Sequence, residues 1–140
     1  MDKIEIKNAS IIDGLGGEPY FGNIYLRNGK ISSITNGESL VSDISIDATG
    51  KIVTPGFIDL HTHSDVSFLL DSTAQSKVRQ GITLEFIGNC GFSLCAPLIG
   101  DARDMFDDWV SDYSNSYKPT WTNYAGYIEA SRKAKATLNI

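Results

Sequence analysis

Cysteine is scarce in this sequence, which contains only two cysteines, Cys90 and Cys95, five residues apart. Small secreted domains that depend on disulfides carry more cysteines, and this pair does not form a Cys-x-x-Cys motif. The cysteine content therefore argues against a disulfide scaffold. We expect a reducing, cytoplasmic setting, in which the thiol of Cys90 would stay available as a metal ligand.

Long apolar runs and clusters of basic residues are also missing. No stretch approaches the roughly 18 consecutive apolar residues of a membrane span, and residues 1–30 lack the basic and apolar regions of a signal peptide. The 12 lysines and arginines are outnumbered by 17 aspartates and glutamates, which gives a net charge of −5. Neither a membrane nor nucleic acid is therefore predicted as a partner.

The pattern of polar and apolar residues changes near Pro55. Residues 1–54 contain short alternating segments typical of β-strands, including residues 3–7. Their clearest signal is a β-hairpin, since Asn28 and Gly29 tolerate the positive φ angles that a two-residue turn requires. Residues 55–140 instead alternate apolar strands with helical patterns. The sequence thus predicts an α/β protein with a β part at 1–54 and a second part at 55–140.

The two histidines of the chain, His61 and His63, follow the apolar segment 57–60. If a buried strand continues through them, its period of two places both imidazoles on one face. A second apolar segment, 82–87, is followed by Cys90. Two imidazoles and a thiolate suit zinc, so we predict that His61, His63 and Cys90 are metal ligands. The alternative is that the two histidines are coincidental neighbours on a strand.

Segment 57–63 resembles the first barrel strand of the amidohydrolase superfamily. Residues 80–83 and 88–93 resemble its N-acyl-D-amino-acid deacylase (D-aminoacylase) branch, which places a cysteine after the second strand, where Cys90 stands. The resemblance covers nearly the whole chain. It implies a (β/α)₈ barrel, which typically needs about 250 residues. We therefore expect the amino-terminal part of a longer enzyme, a partial (β/α)₈ barrel preceded by part of a β-sandwich.

The resemblance also implies a reaction. A small-molecule N-acyl-D-amino acid would be hydrolysed to a carboxylate and a D-amino acid with one or two zinc ions. His61 and His63 would belong to one metal position, and Cys90 would hold the tightly bound ion and bridge to a second. Bound zinc lowers the pKa of water to about 7 and polarises carbonyl groups. The family's further histidines and its acid/base aspartate would lie outside residues 1–140, so no catalytic residue is assigned here.

Three residues near these motifs have alternative interpretations. Asp59 is either a buried hydrogen-bonding residue beneath His61 or a strand-end cap. Asp65 either orients a histidine from outside the ligand set or caps the strand end. Cys95 is interpreted as a packed small residue rather than a ligand.

Helical patterns follow each apolar segment. Ser72 or Thr73 is expected to cap a helix that ends before Gly81. Residues 101–113 have a helical apolar stripe, and the aspartates off this stripe indicate a solvated face rather than a metal site. A second helix is expected from Thr120, and residues 136–140 as a third barrel strand. The stripe comprises Ala102, Met105, Phe106, Trp109, Val110 and Tyr113; the second helix's apolar face comprises Trp121, Tyr124, Ala125 and Ile128.

The sequence leaves two other functions open. One is an amidohydrolase acting on a cyclic amide, similar to the dihydropyrimidinases, in which a carboxylated lysine from a later strand bridges two metals. The other is a non-catalytic chain that is stable only when a complementary chain supplies the remainder of the barrel. Strand edges left open in the β part would favour such pairing.

Overall fold

The computed structural model describes residues 2–94, 99–113 and 117–140. By its internal contacts the chain forms two compact units, Met1–Pro55 and Gly56–Ile140. Each unit has its own hydrophobic core. None of the helices in the described ranges is long and apolar enough to cross a membrane.

The first unit is a five-stranded sheet. Its strands are β1 (Lys3–Ile11), β2 (Tyr20–Arg27), β3 (Lys30–Thr35), β4 (Ile44–Asp47) and β5 (Ile52–Val53). Strand β1 pairs antiparallel with β2 and parallel with both β4 and β5. The predicted hairpin is confirmed, because β2 and β3 are antiparallel and Asn28 and Gly29 have φ angles of 55° and 72°.

The core of the first unit is small. Its buried apolar residues are Ala9, Ile11, Ile24 and Ala48. Two other isoleucines of this sheet, Ile31 and Ile52, are more than half exposed, and Ile34, Ile44 and Ile46 are between 43% and 49% exposed. The sheet therefore presents apolar side chains at its surface.

The second unit contains a pair of parallel strands, β6 (Phe57–Asp59) and β7 (Ile82–Glu85). The helices α1 (Ser67–Leu70) and α2 (Gln75–Val78) connect them, and α3 (Asp101–Tyr113) and α4 (Tyr124–Ala134) follow. Asn139 forms a single parallel bridge to Leu84, at the position predicted for a third strand. This β-α-β order with parallel pairing is the opening of a barrel, as predicted.

Strand β6 differs from the predicted strand in length and burial. It ends at Asp59, so His61 and His63 lie in the loop after the strand rather than on it. Phe57 and Ile58 are 56% and 55% exposed, so the prediction of a buried strand was wrong for this chain. The physical reason is that the sheet of this unit has two strands, which leaves the faces of β6 uncovered among the described residues.

The connection between β6 and β7 also differs from the single capped helix that the sequence predicts. It contains two four-residue helices, and neither Ser72 nor Thr73 caps one of them. The carboxylate of Asp71 accepts hydrogen bonds from the backbone N–H and the hydroxyl of Thr73, and this turn separates the helices. Gly81 follows α2 with a φ of 82°, a conformation that favours glycine, as expected.

Helix α3 forms over the predicted residues, and Phe106 and Val110 of its apolar stripe are buried. Met105 is 65% exposed, and the side chain of Tyr113 lies outside the described residues. Only part of the apolar stripe of α3 therefore packs in the core. The aspartates of α3 are exposed, as the solvated-face interpretation predicted.

Helix α4 begins later than predicted. The side chain of Asn123 caps it by accepting a hydrogen bond from the backbone N–H of Gly126 at 3.0 Å. Trp121 therefore precedes the helix, and its indole N–H donates to the carbonyl oxygen of Leu94 at 2.9 Å. Tyr127, not the 62% exposed Tyr124, is the buried aromatic residue of α4.

Candidate metal centre

Three side chains with metal-ligating atoms meet beyond the carboxyl ends of β6 and β7. The Nε2 atom of His61 lies 3.1 Å from the Sγ atom of Cys90. The rings of His61 and His63 are 5.6 Å apart, and one ligand atom from each of the three residues lies within 4.8 Å of the others. The structure therefore brings together all three residues that the sequence predicts as metal ligands. Metal binding itself stays a prediction.

The backbone around Cys90 has an unusual conformation. Cys90 has a φ angle of 57°, which residues with a Cβ atom rarely adopt. Its neighbours Gly88 and Gly91 also have positive φ angles, 79° and 77°, which glycine adopts without steric cost. This left-handed turn places the thiol next to His61. Non-glycine residues in this region cost about 1 kcal/mol or more and often occur at functional sites.

Asn89 fastens this turn to the loop after β6. Its side-chain amide donates to the backbone carbonyl oxygens of Thr62 at 3.2 Å and of Phe86 at 2.9 Å. Thr62 lies between the two histidines in the sequence. Asn89 therefore ties the loop that carries Cys90 to the loop that carries His61 and His63.

Asp65 also holds the turn that carries Cys90. It is fully buried, and its Oδ1 atom accepts a hydrogen bond from the backbone N–H of Gly88 at 3.0 Å. Burial raises the pKa of this carboxyl group, although that hydrogen bond and the nearby His63 act in the opposite direction. The observed partner of Asp65 lies in the cysteine turn, so its proposed role in orienting a histidine stays a prediction.

Asp59 lies at the end of β6, and its two carboxylate oxygens have different partners. One accepts a hydrogen bond from the backbone N–H of His61 at 3.2 Å, and the other binds the ammonium group of Lys77 at 2.8 Å. The hydrogen bond from Lys77, followed by that from His61, holds the pKa of Asp59 below its ordinary value. The bond from the His61 N–H, two residues later, caps the end of β6, and Asp59 is only partly buried, so the strand-end-cap interpretation of Asp59 describes it better than that of a buried residue.

The donor set fits zinc in chemistry and approximately in distance. Imidazole nitrogens and a cysteine sulfur are the usual protein ligands of zinc. Ligands of one tetrahedral zinc lie about 3.5 Å apart, given bonds of about 2.0–2.3 Å, so the wider spacings here must close by about 1 Å. All three residues are exposed, which leaves the ion accessible to water and to further ligands. The described residues contain no other cluster of this kind.

Aromatic side chains lie beside the candidate ligands. The ring of Phe92 meets His63 edge-on at 5.9 Å, and the ring of Trp109 of α3 lies 5.9 Å from Phe92. Phe92 is half exposed. An apolar ring therefore borders His63.

Sequence reasoning missed the roles of Asn89 and Lys77. The segment Gly-Asn-Cys-Gly resembles the deacylase branch, but it does not reveal which backbone carbonyl groups the Asn89 side chain binds. Lys77 lies in a polar helical segment and carries no motif. Cys95, which was predicted to be a packed residue, lies outside the described residues.

Comparison with protein families gives one clear match. Residues 45–138 match the Amidohydrolase family. An N-acyl-D-glutamate deacylase of Alcaligenes xylosoxydans xylosoxydans is 40% identical over 97 residues, which cover 69% of this chain and 20% of the relative. The chain is thus similar to about a fifth of that relative's length.

Solved structures agree in fold. A D-aminoacylase described with a binuclear metal centre has a TM-score of 0.77 and 27% identity, over 97% of this chain and 28% of that one. An N-acyl-D-glutamate deacylase of Bordetella bronchiseptica, complexed with zinc and a phosphonate inhibitor, has a TM-score of 0.75 and 30% identity over the same shares. This chain therefore matches little more than a quarter of each neighbour.

Proposed function

The chain belongs to the amidohydrolase family, and from this premise we propose that His61, His63 and Cys90 bind zinc in a deacylase of N-acyl-D-amino acids. Support for this substrate class comes from relatives named for N-acyl-D-glutamate and N-acyl-D-aspartate, and from the D-aminoacylases. One or two ions are consistent with the proposal, because a neighbouring D-aminoacylase has a binuclear centre.

One observation carries the proposal. The Sγ atom of Cys90 lies 3.1 Å from the Nε2 atom of His61, although the residues are 29 positions apart. A thiol at the end of the second strand distinguishes the deacylase branch that the sequence resembles from branches that use a carboxylated lysine. The geometry thus favours the deacylase over the cyclic-amide alternative.

The residues around the ligands have supporting roles. A zinc ion bound there would acidify water and polarise the acyl carbonyl group. Asp59 binds Lys77, and one oxygen of the buried Asp65 accepts from the backbone N–H of Gly88, so both carboxylates hold the backbone near the ligands. The ring of Phe92 packs edge-on against His63. The acid/base group is therefore expected from a part of the enzyme other than these residues.

Metal binding is the first test. The purified chain is titrated with zinc, and Co²⁺ is used as a spectroscopic substitute because a thiolate ligand gives cobalt a near-ultraviolet charge-transfer band. We expect one tight site whose band disappears in the Cys90→Ala variant. A chain that binds neither ion, or a band that survives this substitution, contradicts the proposal.

The reaction is tested in a hybrid enzyme. Residues 1–140 replace the matching segment of a D-aminoacylase, and the hybrid is assayed with N-acetyl-D-methionine, its L enantiomer and dihydrouracil. We expect hydrolysis of the D-amino-acid derivative and its loss in the His61→Ala variant. Preferential hydrolysis of dihydrouracil would support the cyclic-amide alternative instead.

A further inference from the structure

Lys77 contacts the ends of both strands that lead to the candidate ligands. It lies in the last turn of α2 and belongs to neither strand. Its ammonium group binds Asp59 at 2.8 Å and Glu85 at 2.9 Å. Asp59 ends β6 and Glu85 ends β7, and the two residues are paired in the parallel register. Lys77 therefore connects the last residues of two neighbouring strands.

The charges at these strand ends require a cation. Two neighbouring carboxylates repel each other, and the Glu85 side chain is only 2% exposed, so water screens its charge poorly. A lysine ammonium group has three N–H donors. Here the ammonium group donates to Asp59 at 2.8 Å and to the hydroxyl oxygen of Thr62 at 3.1 Å, and it forms an ion pair with Glu85 at 2.9 Å. Lys77 therefore contacts both carboxylates and the loop that follows β6.

The partners of Lys77 fix the backbone on both sides of His61. Asp59 accepts a hydrogen bond from the backbone N–H of His61, and Thr62 is the next residue in the chain. The carbonyl oxygen of Thr62 accepts the amide of Asn89, which directly precedes Cys90. A continuous path of short contacts thus runs from the Lys77 ammonium group to both metal-ligating loops.

We propose that Lys77 is a positioning residue for the metal centre, which holds the His61 and Cys90 loops at the separation that zinc requires. This inference rests on the proposed zinc site and adds a residue to it. Lys77 does not contact the ligand atoms; it acts through Asp59, Thr62 and Glu85. Loss of its ammonium group leaves the two carboxylates to repel, so the strand ends separate and the ligand atoms move apart.

The test measures zinc affinity by competition with a chromophoric chelator, and the cobalt spectrum, in the full 140-residue chain. Lys77→Met keeps the length of the side chain but removes its charge. Lys133→Met is the matched chemical control, because Lys133 forms an exposed pair with Glu129 on α4. Asn123→Ala is the stability control, because it removes a helix cap that lies on another element. Unfolding is followed in parallel with a metal chelator present.

We expect Lys77→Met to raise the zinc Kd by about 10- to 100-fold, as substitutions behind metal ligands typically do. Lys77→Arg should restore the affinity to within about fivefold, because it retains the cation. Both controls should stay within about twofold of the unsubstituted chain. A folded Lys77→Met variant with an unchanged Kd and cobalt spectrum overturns the inference and leaves the zinc site intact.

Two further outcomes are decisive. If the unsubstituted chain binds no zinc, the proposed metal centre and this inference both fail. If Lys77→Met does not fold, Asp59→Asn replaces it, because the amide can still accept from the His61 N–H but lacks the charge that attracts Lys77. An approximately tenfold rise in the zinc Kd of Asp59→Asn then supports the inference, and an unchanged Kd refutes it.

Discussion

The imidazole Nε2 atom of His61 and the thiol of Cys90 lie 3.1 Å apart, although each residue follows a different strand. Parallel pairing of β6 with β7 brings the two loops to the same edge of the sheet. The left-handed turn at Cys90 then directs the sulfur toward the imidazole. His63 completes the cluster. The predictions below test whether this geometry binds a metal and what maintains it.

The first prediction concerns the ligands. Cys90→Ala should weaken zinc binding by at least about a hundredfold, or about 2.7 kcal/mol, because it removes one of three donors. His61→Ala and His63→Ala should have similar effects. Cys95→Ala is the matched control and should bind zinc normally, since Cys95 is not expected to be a ligand. Zinc titration of the four variants checks the prediction, and an unaffected Cys90→Ala variant would refute the assignment.

The second prediction concerns Asn89. Asn89→Ala removes the hydrogen bond that ties the cysteine turn to the histidine loop at Thr62, and a second one within the turn, to Phe86. We expect it to destabilise the second unit by about 1–3 kcal/mol and to weaken zinc binding about tenfold. Asn123→Ala should cost about 1 kcal/mol without changing zinc affinity, because it affects only the cap of α4. Equal zinc affinities in the two variants would contradict the role assigned to Asn89.

The third prediction tests the core of the second unit. Trp121→Phe retains an aromatic ring but leaves the carbonyl oxygen of Leu94 without its indole donor. The free energy of unfolding should fall by about 1–3 kcal/mol, the usual cost of an unsatisfied buried group. Tyr124→Phe, at a 62% exposed position, should change it by less than about 0.5 kcal/mol. Urea unfolding monitored by circular dichroism gives the free energy of unfolding of both variants. Equal losses in Trp121→Phe and Tyr124→Phe would refute the prediction.

The fourth prediction concerns acid stability of the first unit. Hydrogen bonds from the side chain and backbone of Thr49, and then from Asn8, hold the pKa of Asp47 below its ordinary value. A lowered pKa stabilises the folded state above the ordinary value, and this contribution is lost as the pH falls through the folded-state pKa. Asp47→Asn and Thr49→Ala should therefore lose less stability than the unsubstituted chain between about pH 6 and about pH 2.5. Urea midpoints across this range provide the measurement, and parallel curves for all three proteins would contradict it.

The fifth prediction concerns the chain by itself. It should show no appreciable hydrolysis of N-acetyl-D-methionine with added zinc, because His61 and His63 are its only histidines and the family resemblance places the acid/base aspartate in a later part of the enzyme. A deacylase relative assayed in parallel is the reference. Turnover within about a hundredfold of that relative, a barrier difference of about 2.7 kcal/mol, would show that the active site has been misplaced.

The local features of this protein follow from residues that are close together in the chain. The sequence predicted the hairpin at Asn28 and Gly29, because turn chemistry depends on adjacent residues. It also predicted helix α3 and the parallel order of the two apolar segments. The motif around His61 and the one around Cys90 identified the family, because each consists of residues close in the chain.

Predictions failed where contacts between distant segments decide the outcome. Segment 57–60 is apolar enough for a buried strand, but a strand is buried only if other elements cover it, and Phe57 is 56% exposed. Helix α4 begins after its cap, Asn123. Trp121 precedes the helix because its indole N–H donates to the backbone carbonyl oxygen of Leu94. Apolar periodicity describes one element at a time and does not specify its partners.

The contacts that support the candidate metal centre join residues far apart in the chain. Lys77 binds Asp59 across 18 positions, Asp65 binds Gly88 across 23, and Asn89 binds Thr62 across 27. None of these pairs has a local spacing that a strand or helix period would reveal. They exist because the parallel strands bring both loops to one edge of the sheet, where polar groups withdrawn from water must find partners in the neighbouring segment.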